Sequence, residues 1–127
     1  MRVRAGGVLL TTLQEMVQAL KDVTNAEAVA VINRDGAIVA ASLPSSVSPE
    51  TFSIMCAAIL GAGMTAATEF RHAAPHRVVL ESTDSTIVIE EIGRRSMLVL
   101  VVPPQRTPAS LATSIERFAQ AAEKDLS

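Results

Sequence analysis

The residues best able to do chemistry are few and scattered. His72 and His76 stand four apart, the spacing at which two imidazoles can share a helical face and hold a metal. Pro75 lies between them and argues for a loop, and neither a cysteine nor a close carboxylate completes a metal set. No metal site is assigned. Cys56, the single cysteine, has no base or cation beside it in sequence to activate it, so it reads as a buried, inert thiol. Glu90 and Glu91 alternate across a strand instead of converging, which argues against paired acid/base work and for a salt bridge or solvated edge.

Gly61-Ala62-Gly63-Met64-Thr65-Ala66 fits the dinucleotide fingerprint G-x-G-x-x-A. That fingerprint works at a strand-to-helix turn, where free backbone amides face a pyrophosphate. Here it falls inside a helix whose amides are already bonded, so small-residue packing explains it and no cofactor is assigned. No G-x-x-x-x-G-K-S/T run is present, so the chain is not expected to hydrolyse nucleotides itself. Arg94-Arg95 in a turn can meet an acidic partner, reach a nucleotide phosphate as an arginine finger does, or simply stand exposed. No catalytic residue is assigned, and the chain is read as a non-enzyme.

Composition narrows the remaining classes. The 127 residues are 49% hydrophobic and 19% charged, which suits one folded domain and not a disordered linker. One cysteine excludes a disulfide scaffold. A net charge of −2 gives no positive field for nucleic acid. Three Phe, with no Trp or Tyr, leave almost nothing for base-stacking platforms or aromatic cages. Val8-Leu9-Leu10 is too short an apolar run for a secretion signal. A cytoplasmic location is the expectation, with residues 1–8 as a flexible N-terminus.

Periodicity then supplies the elements that carry these residues. Leu9, Leu13, Met16, Val17 and Leu20 recur at helical spacing, with Thr12 and Glu15 as a capping box and Asn25 as the stop. Ala28-Val29-Ala30-Val31-Ile32 is a strand buried on both faces, Asn33-Arg34-Asp35-Gly36 a hairpin turn, and Ile38-Val39-Ala40-Ala41 the return. Ser48-Pro49-Glu50 opens a second helix over residues 49–70. Strands follow at 78–82, 86–92 and 96–102. Thr107-Pro108 opens a third helix with Leu111, Ile115, Phe118 and Ala122 on one face. The expected order is α-β-β-α-β-β-β-α, a mainly antiparallel five-stranded sheet with helices on both sides.

The second helix needs more cover than its own chain can give. Phe52, Met55, Cys56, Ile59, Gly63 and Met64 make one stripe for the sheet. Ile54, Ala57, Ala58, Gly61, Ala62, Thr65 and Ala66 make another, and no charge lies between Glu50 and Glu69. A helix packed on a sheet needs one apolar face; an apolar face on each side must be covered twice. The stretch approaches the length of a membrane span, but its Ala, Gly and Thr are weakly hydrophobic, so no membrane insertion is expected. Self-association through Ile54, Ala57, Ala58, Gly61, Ala62 and Thr65 is the expectation, with a symmetric homodimer as the simplest closed solution.

The chain resembles the roadblock family, the dynein light-chain-like domains that accompany Ras-like GTPases. Three segments carry the resemblance: Asn25-Ala26-Glu27-Ala28-Val29-Ala30-Val31-Ile32-Asn33-Arg34-Asp35-Gly36-Ala37-Ile38-Val39-Ala40-Ala41-Ser42, Met55-Cys56-Ala57-Ala58-Ile59-Leu60-Gly61-Ala62, and Val78-Val79-Leu80-Glu81-Ser82. The family usually has Gly at the place of Asn25, and Asn tolerates the same left-handed conformation. The resemblance implies a three-layer α/β/α homodimer in which second helices pack together and an edge strand, here Val78, Leu80 and Ser82, extends the sheet. It also implies a platform for a small Ras-like GTPase that modulates GTP hydrolysis, with Arg94 and Arg95 as candidate partner contacts. The alternatives are a small-ligand sensor and a purely structural subunit of a larger complex.

Overall fold

In the computed structural model, which describes residues 4–5, 8–9 and 12–126, a two-residue ribbon, β1 (Arg4–Ala5) and β2 (Val8–Leu9), precedes the first helix, α1 (Leu13–Thr24). The flexible N-terminus expected over residues 1–8 falls largely outside the described residues. Leu9 belongs to β2 and not to the helical stripe, because the helix begins only where Thr12 caps it. The Thr12 hydroxyl accepts the Glu15 N–H at 3.2 Å, and the Glu15 carboxylate accepts the Thr12 N–H at 3.0 Å. That reciprocal box satisfies two otherwise orphaned amides. At the other end Asn25 adopts φ 57° and closes the helix.

β3 (Ala28–Asn33) and β4 (Ile38–Ser42) meet through the expected tight turn. Gly36 there has φ 94°, a conformation that costs a side chain dearly, and the Asp35 carboxylate accepts the Ala37 N–H at 3.0 Å. α2 (Pro49–Glu69) starts at the Ser48 cap with Pro49 in its first turn. β5 (Arg77–Glu81), β6 (Thr86–Ile92), β7 (Ser96–Val102) and α3 (Pro108–Leu126) complete the chain. The third strand of the sequence reading thus runs one residue early. Ser82 lies outside β5, in a turn where its hydroxyl donates to the Ser85 carbonyl at 3.2 Å.

The five strands pair antiparallel throughout, in the order β4-β3-β7-β6-β5. Alternation along the strands creates two cores. Val29, Val31, Val88, Leu98 and Leu100 face Val17 and Leu20 of α1 and Leu111, Ile115 and Phe118 of α3. Ala30, Ile32, Ile89, Met97 and Val99 face Cys56 and Leu60 of α2. The central strands β3 and β7 are buried on both sides, which is why they read as unbroken apolar runs. The edges β4 and β5 are only half buried. The α/β/α layering and the order α-β-β-α-β-β-β-α from α1 onward are those expected from sequence.

Glu90 and Glu91 do point to opposite faces. Glu90 pairs with Arg77 at 2.6 Å, directly across the β5–β6 register. Glu91 pairs with Arg34, whose guanidinium also lies 3.9 Å from the Met64 sulfur of α2. Neither carboxylate is free to act as an acid or base with the other.

Candidate functional site

α2 covers the second core with one line of residues and leaves the rest of its surface bare. Ser53, Cys56 and Leu60 are buried, and Phe52, Ala57, Ile59, Gly63 and Met64 are half buried beside them. The opposite side presents Met55, Ala58, Gly61, Ala62, Thr65 and Ala66 to solvent, while Ile54, 52% exposed, lies against the Gly36 turn on one side and is open on the other. Two residues differ from the sequence reading: Met55 is 52% exposed, and Ala57 turns toward the sheet. The cause is Ser53, whose hydroxyl donates to the Glu50 carbonyl at 3.2 Å and so tolerates burial. Accepting a polar residue into the inner line rotates the sheet-facing stripe away from Met55.

The outer face is more apolar than its threonines suggest. Thr65 donates its hydroxyl to the Gly61 carbonyl at 3.1 Å, and Thr68 to the Met64 carbonyl at 3.0 Å. Both polar groups are spent inside the helix, leaving methyls outward. A Cβ placed on Gly61 would meet no atom of another element within 4 Å, so the space over it is open. Beside it lies a notch of about 200 Å³ lined by Arg34, Ala57, Leu60, Gly61, Met64 and Met97. At 21 residues α2 is long and apolar enough to cross a membrane, yet its inner line is the lid of a core: Cys56 is 3% and Leu60 1% exposed.

The edge strand β5 runs along the same face. Val78 lies 3.4 Å from the position a Cβ on Gly63 would take. Leu80, on the same side of the sheet, is 38% exposed. Ser82, beyond the strand, is not part of this edge. Arg94 and Arg95 are exposed elsewhere, in the β6–β7 turn, where the Arg34 N–H donates to the Arg95 carbonyl at 2.8 Å. They flank a cleft of about 470 Å³ with Asn33, Ser96 and Asp125. Both Asp125 carboxylate oxygens are sealed from solvent, with no hydrogen-bond partner among the described residues. This cleft had no signal in the sequence, since the fold brings Asp125 to residues about 30 and 90 positions away.

Chemistry is weak at the remaining candidates. Gly61 to Ala66 sit mid-helix, where no amide faces a phosphate. His72 and His76 lie in an exposed loop, His72 against the Phe70 ring at 5.8 Å. Among the described residues no group of three or more His, Cys, Asp or Glu converges on a metal position. Burial pushes the Cys56 thiol up to about 11, so it stays protonated.

Fold and face together define a three-layer α/β/α domain whose lid helix leaves an uncharged face exposed. The family model described as the Roadblock/LC7 domain matches residues 12–102, and the chain belongs to that family. A Roadblock/LC7 domain from Streptomyces avermitilis superposes with TM-score 0.82 at 14% identity, over 91% of this chain and 98% of that one. Myxococcus xanthus MglB gives 0.81 at 14% identity, covering 90% and 94%. A structure described as MglB with tetrameric arrangement gives 0.76 at 19%, covering 98% and 97%. At these identities the likeness is one of fold. No curated protein sequence matches the chain.

Proposed function

We propose that the chain is a homodimeric regulator or scaffold of a Ras-like small GTPase, cytoplasmic and without an active site of its own. The observation that carries this reading is the charge-free outer face of α2, on a member of the Roadblock/LC7 family. Bulk is distributed unevenly along that face. Ile54 and Met55 stand at its N-terminal end, and Ala58, Gly61, Ala62, Thr65 and Ala66 follow. Residues 54 and 61 are about 10 Å apart along the axis. Antiparallel pairing of two such helices sets the large end of one against the small trough of the other, and the notch beside Gly61 can take a side chain. Parallel pairing would stack large on large and leave a void.

The edge residues Val78 and Leu80 extend the contact as a sheet, and the likeness to MglB in a tetrameric arrangement supports self-association. The GTPase as partner is supported by membership of the Roadblock/LC7 family. Stimulated hydrolysis would come from ordering the GTPase's own groups or from Arg94 or Arg95, which are exposed in the β6–β7 turn. The test is capture of a Ras-like GTPase of the same genome, loaded with GDP or a GTP analogue. Binding to either state supports the reading; absence of binding in both sinks it. A second reading, a small-ligand sensor, is favoured by the 470 Å³ cleft at Asp125, and a ligand-dependent rise in melting temperature that Asp125→Asn abolishes would establish it.

A further inference from the structure

The two edges of the sheet are not alike. An edge strand presents unpaired N–H and C=O groups, a template for any further strand. On β4 that template is occupied at Ala41. The Gln14 side-chain amide donates from Nε2 to the Ala41 carbonyl at 2.7 Å and accepts the Ala41 N–H at Oε1, at 3.2 Å. One primary amide thus offers Ala41 the donor and acceptor that a neighbouring strand's peptide would offer. One turn along α1, Gln18 accepts the Ser42 hydroxyl at 3.0 Å. Gln18 is itself held by its amide donating to Asp22 at 3.2 Å, which keeps its oxygen aimed at Ser42. The other half of β4 is protected differently. The β3–β4 register shifts between Val31 and Ile32, and such an irregularity twists an edge away from regular pairing.

β5 has neither device. Among the described residues no side chain hydrogen-bonds to the backbone of Val78, Val79 or Leu80, and the Arg77 side chain is directed inward to Glu90. We propose that Gln14 and Gln18 close the β4 edge, so that a second copy of the chain can add its strand only at β5 and the assembly ends instead of growing from both edges. This rests on the self-association reading above and adds which edge stays shut and what shuts it.

The test uses the full chain with Gln14→Met and Gln18→Met, near-isosteric changes that keep the stems of α1 packed and remove the amides. Hydrogen exchange at the Ala41 N–H is read first, with an expected increase of about tenfold, the net worth of one hydrogen bond. Light scattering over rising concentration is read second, with species larger than the wild-type assembly expected in the double variant. Unchanged exchange at Ala41 overturns the proposal, and so does faster exchange with no larger species. Gln14→Glu provides the control for folding: it keeps an acceptor for the Ala41 N–H but sets a carboxylate against the carbonyl, and partial opening is expected. A monomeric wild type would defeat the dimer reading alone, because new association through β4 in the double variant is scored against whatever the wild type forms.

Discussion

Cys56 is held by its surroundings as an acid weaker than usual. Its thiol is 3% exposed on the inner line of α2, and burial pushes its pKa from 9.0 to about 11. Below pH 9 the folded and unfolded chains both keep the proton, and the full contribution to stability is present. From pH 9 to 11 the unfolded chain ionises first, so stability falls over that range, by on the order of 1 kcal/mol for each pH unit. Denaturant titrations at pH 8 and 11 should show that loss in the wild type and a flatter dependence in Cys56→Ala. An alkylating reagent at pH 8 should label the thiol only after unfolding. Gly93 is constrained by backbone rather than by solvent. It has φ 63°, and a Cβ there would lie 3.2 Å from the Leu126 carbonyl oxygen. Gly93→Ala should cost about 1 to 2 kcal/mol through the left-handed conformation alone, read as a lowered denaturation midpoint. The end of α3 closes on this turn, so the loss should appear first as faster amide exchange near Leu126.

α2 shows how far a periodic pattern can be trusted. Its limits were legible in Ser48, Pro49 and Phe70, and its apolar character all round was legible in the missing charges. Its rotation was not. Ser53 lies in the buried line because its hydroxyl finds a carbonyl one turn back, a local bond that polarity alone does not reveal. With Ser53, Cys56 and Leu60 in the buried line, Met55 faces out and Ala57 in. The two helices on the other face were easier: Leu111, Ile115, Phe118 and Ala122 are buried as expected, and in α1 so are Leu13, Val17 and Leu20, while Met16 is half buried and Leu9 lies outside the helix. The edge at Ser82 failed for a related reason: its hydroxyl prefers the turn it closes with Ser85 to a place in the strand. The Asp125 cleft and the Gln14 contact depend on residues far apart in sequence, and no spacing rule reaches them. The two faces of α2 should respond oppositely to substitution. Leu60→Ala opens a cavity in the core and should cost about 2 to 5 kcal/mol. Gly61→Ala adds a methyl into open space and removes a helix-interior glycine, so the monomer should gain up to about 1 kcal/mol. Thermal denaturation at low concentration distinguishes them.

At the scale of the molecule the question is what covers the outer face of α2. A specific dimer of ordinary size buries about 800 Å² per partner, roughly a tenth of the 7603 Å² surface of this chain. The stripe from Ile54 to Ala66, with Val78 and Leu80 beside it, has the chemistry such a contact needs: aliphatic, free of charge and free of unspent hydroxyls. A bilayer would accept the same stripe, but it would not discriminate between the crowded N-terminal and bare C-terminal halves of the face. A second copy paired antiparallel, as proposed, would discriminate, because it would set the bulky half of one face against the small-residue half of the other. Ala62→Glu separates the possibilities. Around a twofold axis the substitution brings two carboxylates into a dry contact at once, where each is costly to desolvate without a partner. Light scattering should therefore give twice the 13.4 kDa chain mass for the wild type at micromolar concentration and a single chain for the variant. The melting temperature should depend on concentration only in the wild type, since association stabilises the folded chain by mass action. A wild-type mass of 13.4 kDa together with recovery on lipid vesicles would instead assign the face to a membrane surface. An Ala62→Glu protein that remains dimeric would move the contact off α2 and onto the β5 edge alone.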